Sequence, residues 1–342
     1  MNPTIYLLTD YRDHFYSSVR YSHASMKLDM LSKYFEELGH PVIIKQFSQI
    51  DLRTDNYSGA IILYQSTEDR NLEYHDYIED VLLALKLQGA RLVPEFHYFR
   101  SHHNKVFMEI LRDIHISPLV KNIRTRTYGT LEEYIREGLD DDELVVLKPA
   151  QGAKSSGVQL LKNRNDRFKH AKTISRTFNI VDIIKEFIKG IIRPYHTKRS
   201  HHRRKFLAQT LVPGLSKDYK IVVYGSRYYV LKRGVRAGDF RASGSGLFDW
   251  IENPPEGLLD YAKSIFQGFN VPFISIDVGS DGKEFYLFEF QFIHFGNTTV
   301  EKSSYYFAMK NEQWELIKDT PNLEKTFAES VHLYLEQDKV PA

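Results

Sequence analysis

Phe273 to Gln291 reads FISIDVGSDGKEFYLFEFQ. Apolar and polar residues alternate on both sides of Ser280-Asp281-Gly282, the pattern of two strands joined by a turn. A two-residue loop puts Asp277 and Glu289 on opposite faces. A three-residue loop with Gly282 left-handed shifts the parity by one. That second register groups Ile274, Ile276 and Val278 with Tyr286, Phe288, Phe290 and Phe292. Ser275, Asp277, Glu289 and Gln291 then share the other face. Burial favours it, because one face becomes almost purely apolar. Asp277, Glu289 and Gln291 are candidate metal ligands: magnesium takes one or two carboxylates and completes its shell with phosphate and water oxygens. An ordinary half-exposed hairpin has the same pattern, so the rest of the chain has to decide.

The second informative stretch is LVVLKPAQGAKSSGVQLLK, Leu144 to Lys162. It reads as strand, glycine- and serine-rich loop, strand. Gly152 to Gly157 is not a Walker-type phosphate loop, because Val158 and Gln159 stand where Lys and Ser/Thr should follow the last glycine. Its backbone amides can still form an anion nest, and Lys148 can meet a phosphate as a point charge. A plain hairpin loop beside a surface lysine is the competing reading.

The chain has 342 residues, enough for two or three domains, with the apolar and charged fractions of an ordinary globular protein. Net charge is +2, so no global field points to nucleic acid or membrane. There is no cysteine, which excludes disulfides and thiolate chemistry. The start of the chain lacks the basic lead-in and long apolar run of a signal peptide, and no stretch approaches the ~20 apolar residues of a membrane span. A cytoplasmic protein is expected.

Strands at Ile5 to Leu8, Pro41 to Phe47, Ala60 to Tyr64 and Arg91 to Pro94 alternate with helices at Ala24 to Leu38 and Leu72 to Leu87. This predicts a parallel α/β unit without a dinucleotide fingerprint. Further helices are expected over Asn104 to Ile114, from the capping box Thr130 to Glu133, over Leu258 to Phe269 and over Asn322 to Gln337. Val181 to Ile188 reads as a strand, as do Phe206 to Val212, Lys220 to Tyr224 and Tyr228 to Lys232.

In this order the pieces resemble the ATP-grasp superfamily, that of the D-alanine–D-alanine ligases and glutathione synthetases. The resemblance covers about residues 95 to 300. It implies an α/β (α+β) fold: a Rossmann-like parallel α/β domain over 1–100, a central subdomain with a mobile glycine loop over 101–190, and a C-terminal subdomain with the metal hairpin over 191–342. The last two would enclose the nucleotide. Lys105 and Lys148 resemble the nucleotide lysines, and Gln151 to Gly157, with Ser155, Ser156 and Gly157, the loop that closes over the phosphates. Lys185, Glu186, Phe187 and Ile188 resemble the hinge that holds adenine. Asp218 to Ile221 resembles the aspartate-containing strand before the second half-sheet. Arg233 to Gly246 resembles the segment that meets the transferred phosphate. Asp277 and Glu289 resemble the metal carboxylates, with Gln291 where an asparagine is usual.

The resemblance implies ATP and magnesium (or manganese) as cofactors. It also implies an ADP-forming ligase that joins a small carboxylate to an amine through an acylphosphate. Arg241, Lys148 and Ser155 are the implied catalytic residues. Arg233, Arg236, Ser243 and Gly244 are the implied substrate contacts, arginine being able to grip a carboxylate bidentately. The substrate, amino-acid-like or a sugar acid, is not readable. Many relatives are homodimers, but the sequence shows no interface. A kinase of the same fold is one alternative, and a non-catalytic nucleotide- or polyanion-binding module another. The latter draws on Arg193 to Lys205, which holds six Lys or Arg, three His and no acid. A nucleic-acid role is a minor reading, and no membrane role is expected.

Overall fold

The computed structural model describes residues 2–15, 26–66, 72–120, 123–138, 144–152, 157–177, 179–193, 195, 197, 199–215, 217–234 and 247–337. They form two compact units. Unit 1 comprises Met1–His102, Ile114–Lys121 and Leu215–Ala342; unit 2 comprises His103–Asp113 and Asn122–Gly214.

Unit 1 begins with the expected parallel sheet. Its strands are β1 (Ile5–Thr9), β2 (Val42–Gln46), β3 (Ile61–Leu63) and β4 (Arg91–Val93), in the order β2-β1-β3-β4. Helices α1 (Leu28–Glu37), α2 (Glu73–Leu87) and α3 (Phe96–Ser101) connect or follow them. β3 is buried at all three positions, as its unbroken Ile-Ile-Leu run requires of a strand covered on both faces.

Unit 2 contains most of α4 (Lys105–His115). It continues with β5 (Thr125–Tyr128), α5 (Leu131–Glu137), β6 (Val145–Pro149), β7 (Gln159–Leu161), α6 (Arg164–Ile174), α7 (Ile180–Ile192) and β8 (Phe206–Thr210). Its sheet is antiparallel, in the order β5-β8-β6-β7. Tyr128, Leu131, Tyr134, Leu147, Ala171 and Phe206 form its core. The capping box at α5 is present: Glu133 N donates to Thr130 Oγ1 at 3.2 Å, and Thr130 N donates to Glu133 Oε2 at 3.0 Å. The strand expected over Val181 to Ile188 is instead part of α7. Its apolar residues fall at helical intervals, and Asn179 caps the first turn by accepting from Val181 N and Asp182 N. The strand expectation fails because eight of thirteen positions are β-branched or aromatic, a composition that tertiary context overrides.

The chain returns to unit 1 with β9 (Lys217–Tyr224), β10 (Arg227–Arg233), β11 (Phe248–Trp250), α8 (Leu258–Phe269), β12 (Phe273–Ser280) and β13 (Phe285–Gln291). It ends with α9 (Thr298–Glu301), β14 (Tyr305–Lys310), β15 (Gln313–Lys318) and α10 (Leu323–Gln337). These strands form a second sheet in the order β13-β12-β9-β10-β14-β15, with β11 paired to β10. α10 lies in one core with the parallel sheet, α1 and this second sheet. Phe327, on α10, meets Phe15, Phe35, Tyr224 and Phe273.

The β12–β13 hairpin has the expected facing at its base but reaches it by another route. Ser280 pairs with Phe285, so the turn spans four residues, not three. A four-residue turn alone would set Asp277 opposite Phe288. A register shift between Asp277 and Val278 restores Asp277 opposite Glu289 and Ser275 opposite Gln291. Beyond the shift Val278 pairs with Leu287, so Leu287, and not Tyr286 or Phe288, is the fully buried residue there.

Candidate functional site

In unit 1 the charged face of the second sheet is built by register. Asp277 on β12 lies between Glu289 on β13 and Lys220 on β9, and Asp218 lies opposite Arg233 on β10. Side chains alternate along β9, so Asp218 and Lys220 share a face with Val222 and Tyr224. The last two enter the core under α10, while the first two stay at its edge. The sheet face therefore changes from aromatic core to a charged cluster within one strand.

Arg233 ties this cluster together. Its Nε donates to Asp218 Oδ1, and a second guanidinium nitrogen lies 3.1 Å from Asp277 Oδ2. Lys220 Nζ is 3.8 Å from Asp277 Oδ1. Arg233 is 8 % exposed, so these bonds form largely out of water. Burial, with the Asp277 charge adding to it, outweighs the pull of Arg233 and leaves the Asp218 carboxyl raised to about 6. Desolvation alone would lower Arg233, but the two carboxylates outweigh it and hold the guanidinium above its ordinary value. Expected to grip a substrate's carboxylate, Arg233 here grips two of the chain's own.

Hard oxygen donors facing one another across adjacent strands suit magnesium. Opposed Cβ atoms lie ~5 Å apart, within reach of a shared cation. Among the described residues no three His, Cys, Asp or Glu side chains converge as a metal cluster; the register sets the carboxylates Asp277 and Glu289 opposite each other and the carboxamide Gln291 opposite Ser275. Such a set fits an ion that retains water and phosphate ligands.

In unit 2 Lys148 lies near the end of β6 and donates from Nζ to Gln209 Oε1 on β8 at 2.7 Å. Gln209 Nε2 in turn donates to Thr125 Oγ1 on β5 at 3.1 Å. From α4, Glu109 joins this polar row beside Arg112, 3.2 Å away. Burial pushes the Glu109 carboxyl up, against the pull of Arg112 and Lys148. Gln209, Thr125, Glu109 and Arg112 are additions to the expected site. Gln209 stands in a strand that the sequence reveals, and an inward-facing glutamine on such a strand is the signal that could have found it.

Lys105, the first residue of α4, is tied to the start of the glycine loop. Its backbone N donates to Ala150 O at 2.9 Å and its Nζ to Gly152 O at 3.0 Å. Gly157 closes the loop with φ +71°, and a Cβ there would lie 3.1 Å from Pro149 Cγ. Its carbonyl is 2.9 Å from the His170 ring on α6. Gly157→Val therefore combines left-handed strain with crowding. It is expected to cost about 2–3 kcal/mol, read as a lower thermal midpoint, and to slow turnover.

Glu186, Phe187 and Ile188 lie on α7, where backbone groups are spent on intrahelical bonds. Glu186 is held by Lys189 at 3.6 Å, and Arg199 N donates to its Oε2. Ser155, Ser156, Arg236, Arg241, Ser243 and Gly244 lie outside the described residues.

The architecture has parallels among solved structures. The D-cycloserine synthetase DcsG aligns over 96 % of this chain and 98 % of its own, with TM-score 0.56 and 11 % identity. A RiPP-associated ATP-grasp ligase from Chryseobacterium gregarium, solved with ADP and a leader and core peptide, aligns over 99 % and 98 %, with TM-score 0.52 and 13 % identity. The chain has the ATP-grasp fold. D-alanine–D-alanine ligase from Bacillus anthracis aligns over 98 % of this chain and 97 % of its own, at TM-score 0.50 and 9 % identity. No family model matches the chain, and no curated protein matches it by sequence. Among its described residues no helix is long and apolar enough to cross a membrane.

Proposed function

We propose that this chain is an ATP- and magnesium-dependent ligase that joins a carboxylate to an amine through an acylphosphate, releasing ADP. The observation that carries the reading is the register that sets Asp277 opposite Glu289 and Ser275 opposite Gln291, with an Arg233 nitrogen 3.1 Å from Asp277 Oδ2. Asp277, Glu289 and Gln291 would hold the metal, which when bound neutralises phosphate charge. Lys105, Lys148 and the loop residues Ser155, Ser156 and Gly157 would hold the triphosphate. Arg241 would stabilise charge on the transferred group, with Arg236, Ser243 and Gly244 contacting substrate. Closure of the glycine loop would keep water from the acylphosphate.

The adenine role moves from Lys185–Ile188 to the end of β8. A hinge that binds a base needs extended backbone at the exit from the central sheet. Gln209, Thr210, Leu211 and Val212 supply the last strand of unit 2 and its exit. The acceptor role stays with residues 1–100, the triphosphate role with unit 2 and the metal role with the unit 1 strands β12 and β13. A small amino-acid-like or sugar acid is the proposed carboxylate.

The test is ADP and phosphate release in the presence of paired acids and amines, with hydroxylamine added to trap the acyl group. Equal ADP and phosphate with a hydroxamate product support ligation. ADP with a stable phosphorylated product and no free phosphate assigns a kinase instead. Lys148→Met is expected to weaken ATP binding about 10- to 100-fold, measured as the loss of ATP-induced thermal stabilisation. Unchanged stabilisation would remove Lys148 from the phosphate site.

A further inference from the structure

Unit 1 holds a cleft of about 460 Å³ where β9 turns into β10. That is the size of a small-molecule site. Gly225 allows it to form. Its φ is +56°, and a Cβ there would lie 3.2 Å from Leu333 Cδ1 and 3.4 Å from Ser330 Cα, so the turn rests directly on α10. The end of α8, with Val271 and Pro272, also lines the space. The charged cluster lies farther along the sheet. Asp277 faces Lys220, four residues of β9, or ~13 Å, from Tyr224.

No Asp, Glu, Lys, Arg or His lines the cleft. Its rings are Tyr228, Phe266 and Tyr334, and the faces of such rings attract a cation. Tyr228 is 5 % exposed, and its hydroxyl has no hydrogen-bond partner among the described residues. Burial pushes the phenol up, so it stays neutral and its oxygen can accept from an ammonium. The end of α8 sets the sign, because a helix C-terminus is partly negative. The last turn of α8 carries no basic side chain. Asn270 N is shared between Phe266 O and Gln267 O, 3.3 Å from each. Pro272 has no N–H to return to Gly268 O. The carbonyls at this end are short of donors. Arg91 lies 5.3 Å from the Tyr334 ring centre but does not line the cleft.

We propose that this cleft binds a small organic cation, an amine protonated at neutral pH and carried on an apolar body. The ammonium group sits at the α8 end, where the carboxamide oxygens of Gln267 and Asn270 and the rings of Tyr228 and Phe266 are available to it. The apolar body rests against Val271, Leu333 and Tyr334. An anion would meet the negative helix end with no cationic side chain to hold it. A neutral ligand of the same shape would leave the helix end unanswered.

Titration calorimetry on the full chain tests this with three probes that share one ring: tryptamine (cationic), tryptophol (neutral) and indole-3-propionate (anionic). Tryptamine is expected to bind with a dissociation constant below about 1 mM. Tryptophol should bind about tenfold more weakly, and the anion more weakly still. Two variants locate the site. Gln267 is exposed, so Q267K places a lysine at the end of α8 without touching the core. Lysine is favoured at a helix C-terminus, so the melting midpoint should hold or rise while tryptamine weakens at least about tenfold. L333W, at a position 44 % exposed, should displace tryptamine by filling the cleft. Equal affinity for tryptamine and tryptophol overturns the proposal, and so does tighter binding of the anion. No tryptamine binding at ~10 mM overturns it as well. Wild-type affinity in either folded variant puts the amine elsewhere and overturns the site. Competition between tryptamine and ATP would place the amine in the nucleotide site, with the same consequence.

Discussion

Asp277→Asn is expected to reduce acceptor-dependent ADP release by about 1,000-fold while leaving the melting midpoint within a few degrees of wild type. The substitution preserves size and an oxygen for the Arg233 contact, now 3.1 Å long, but removes the charge that faces Glu289 across the hairpin. A strand position flanked on both sides by backbone ladders gives the asparagine little room to disturb the fold. ADP release is measured with saturating magnesium and with tenfold more. Activity within about tenfold of wild type would sink the metal assignment for this hairpin. Partial recovery at high magnesium would instead mean that the ligand set survives at lower affinity, as expected when one of two carboxylates is lost.

The second large effect concerns stability. Arg233→Met is expected to destabilise unit 1 by about 3–5 kcal/mol, because it strands two carboxylates that a single buried guanidinium now satisfies. For a unit of this size that lowers the midpoint by roughly 6–20 °C. Adding Asp218→Asn should recover a substantial part of the loss, since it removes the more buried of the two stranded charges. Calorimetry on the wild type, the two single variants and the double variant measures the coupling. Additive losses would show that Arg233 and Asp218 do not act as a unit. An Arg233→Met variant as stable as wild type would mean that water already satisfies Asp218 and Asp277.

Much of this is legible from alternation and punctuation. The parallel sheet can be read because its strands are short apolar runs alternating with amphipathic helices that stop at Gly39 and Gly89, and α8 because of its apolar spacing. The facing of Asp277, Glu289 and Gln291 can be read because only one parity gives a buried face. The route to that parity cannot: a bulge and a longer turn produce the same facing as a three-residue loop, and alternation counts only parity. α7 escapes because isoleucine and valine serve a strand and an amphipathic helix equally well over a short run. α6 escapes for a different reason: its apolar residues are few, and its start depends on Asn163 accepting from Asp166 N. The internal engagement of Arg233 depends on which residues face one another across β9, β10 and β12, and no local pattern carries that information.

The placement of α10 has a consequence for how the protein is made. Unit 2 has all of its strands once Thr210 has been synthesised, and its core of Tyr128, Tyr134, Leu147 and Phe206 can close then. The first hundred residues cannot follow the same schedule. Phe35 and Phe15 complete their core against Phe327, about three hundred residues later. On the ribosome the earliest-made sheet therefore waits for the last helix, and its apolar face is the surface a chaperone would have to cover in the meantime.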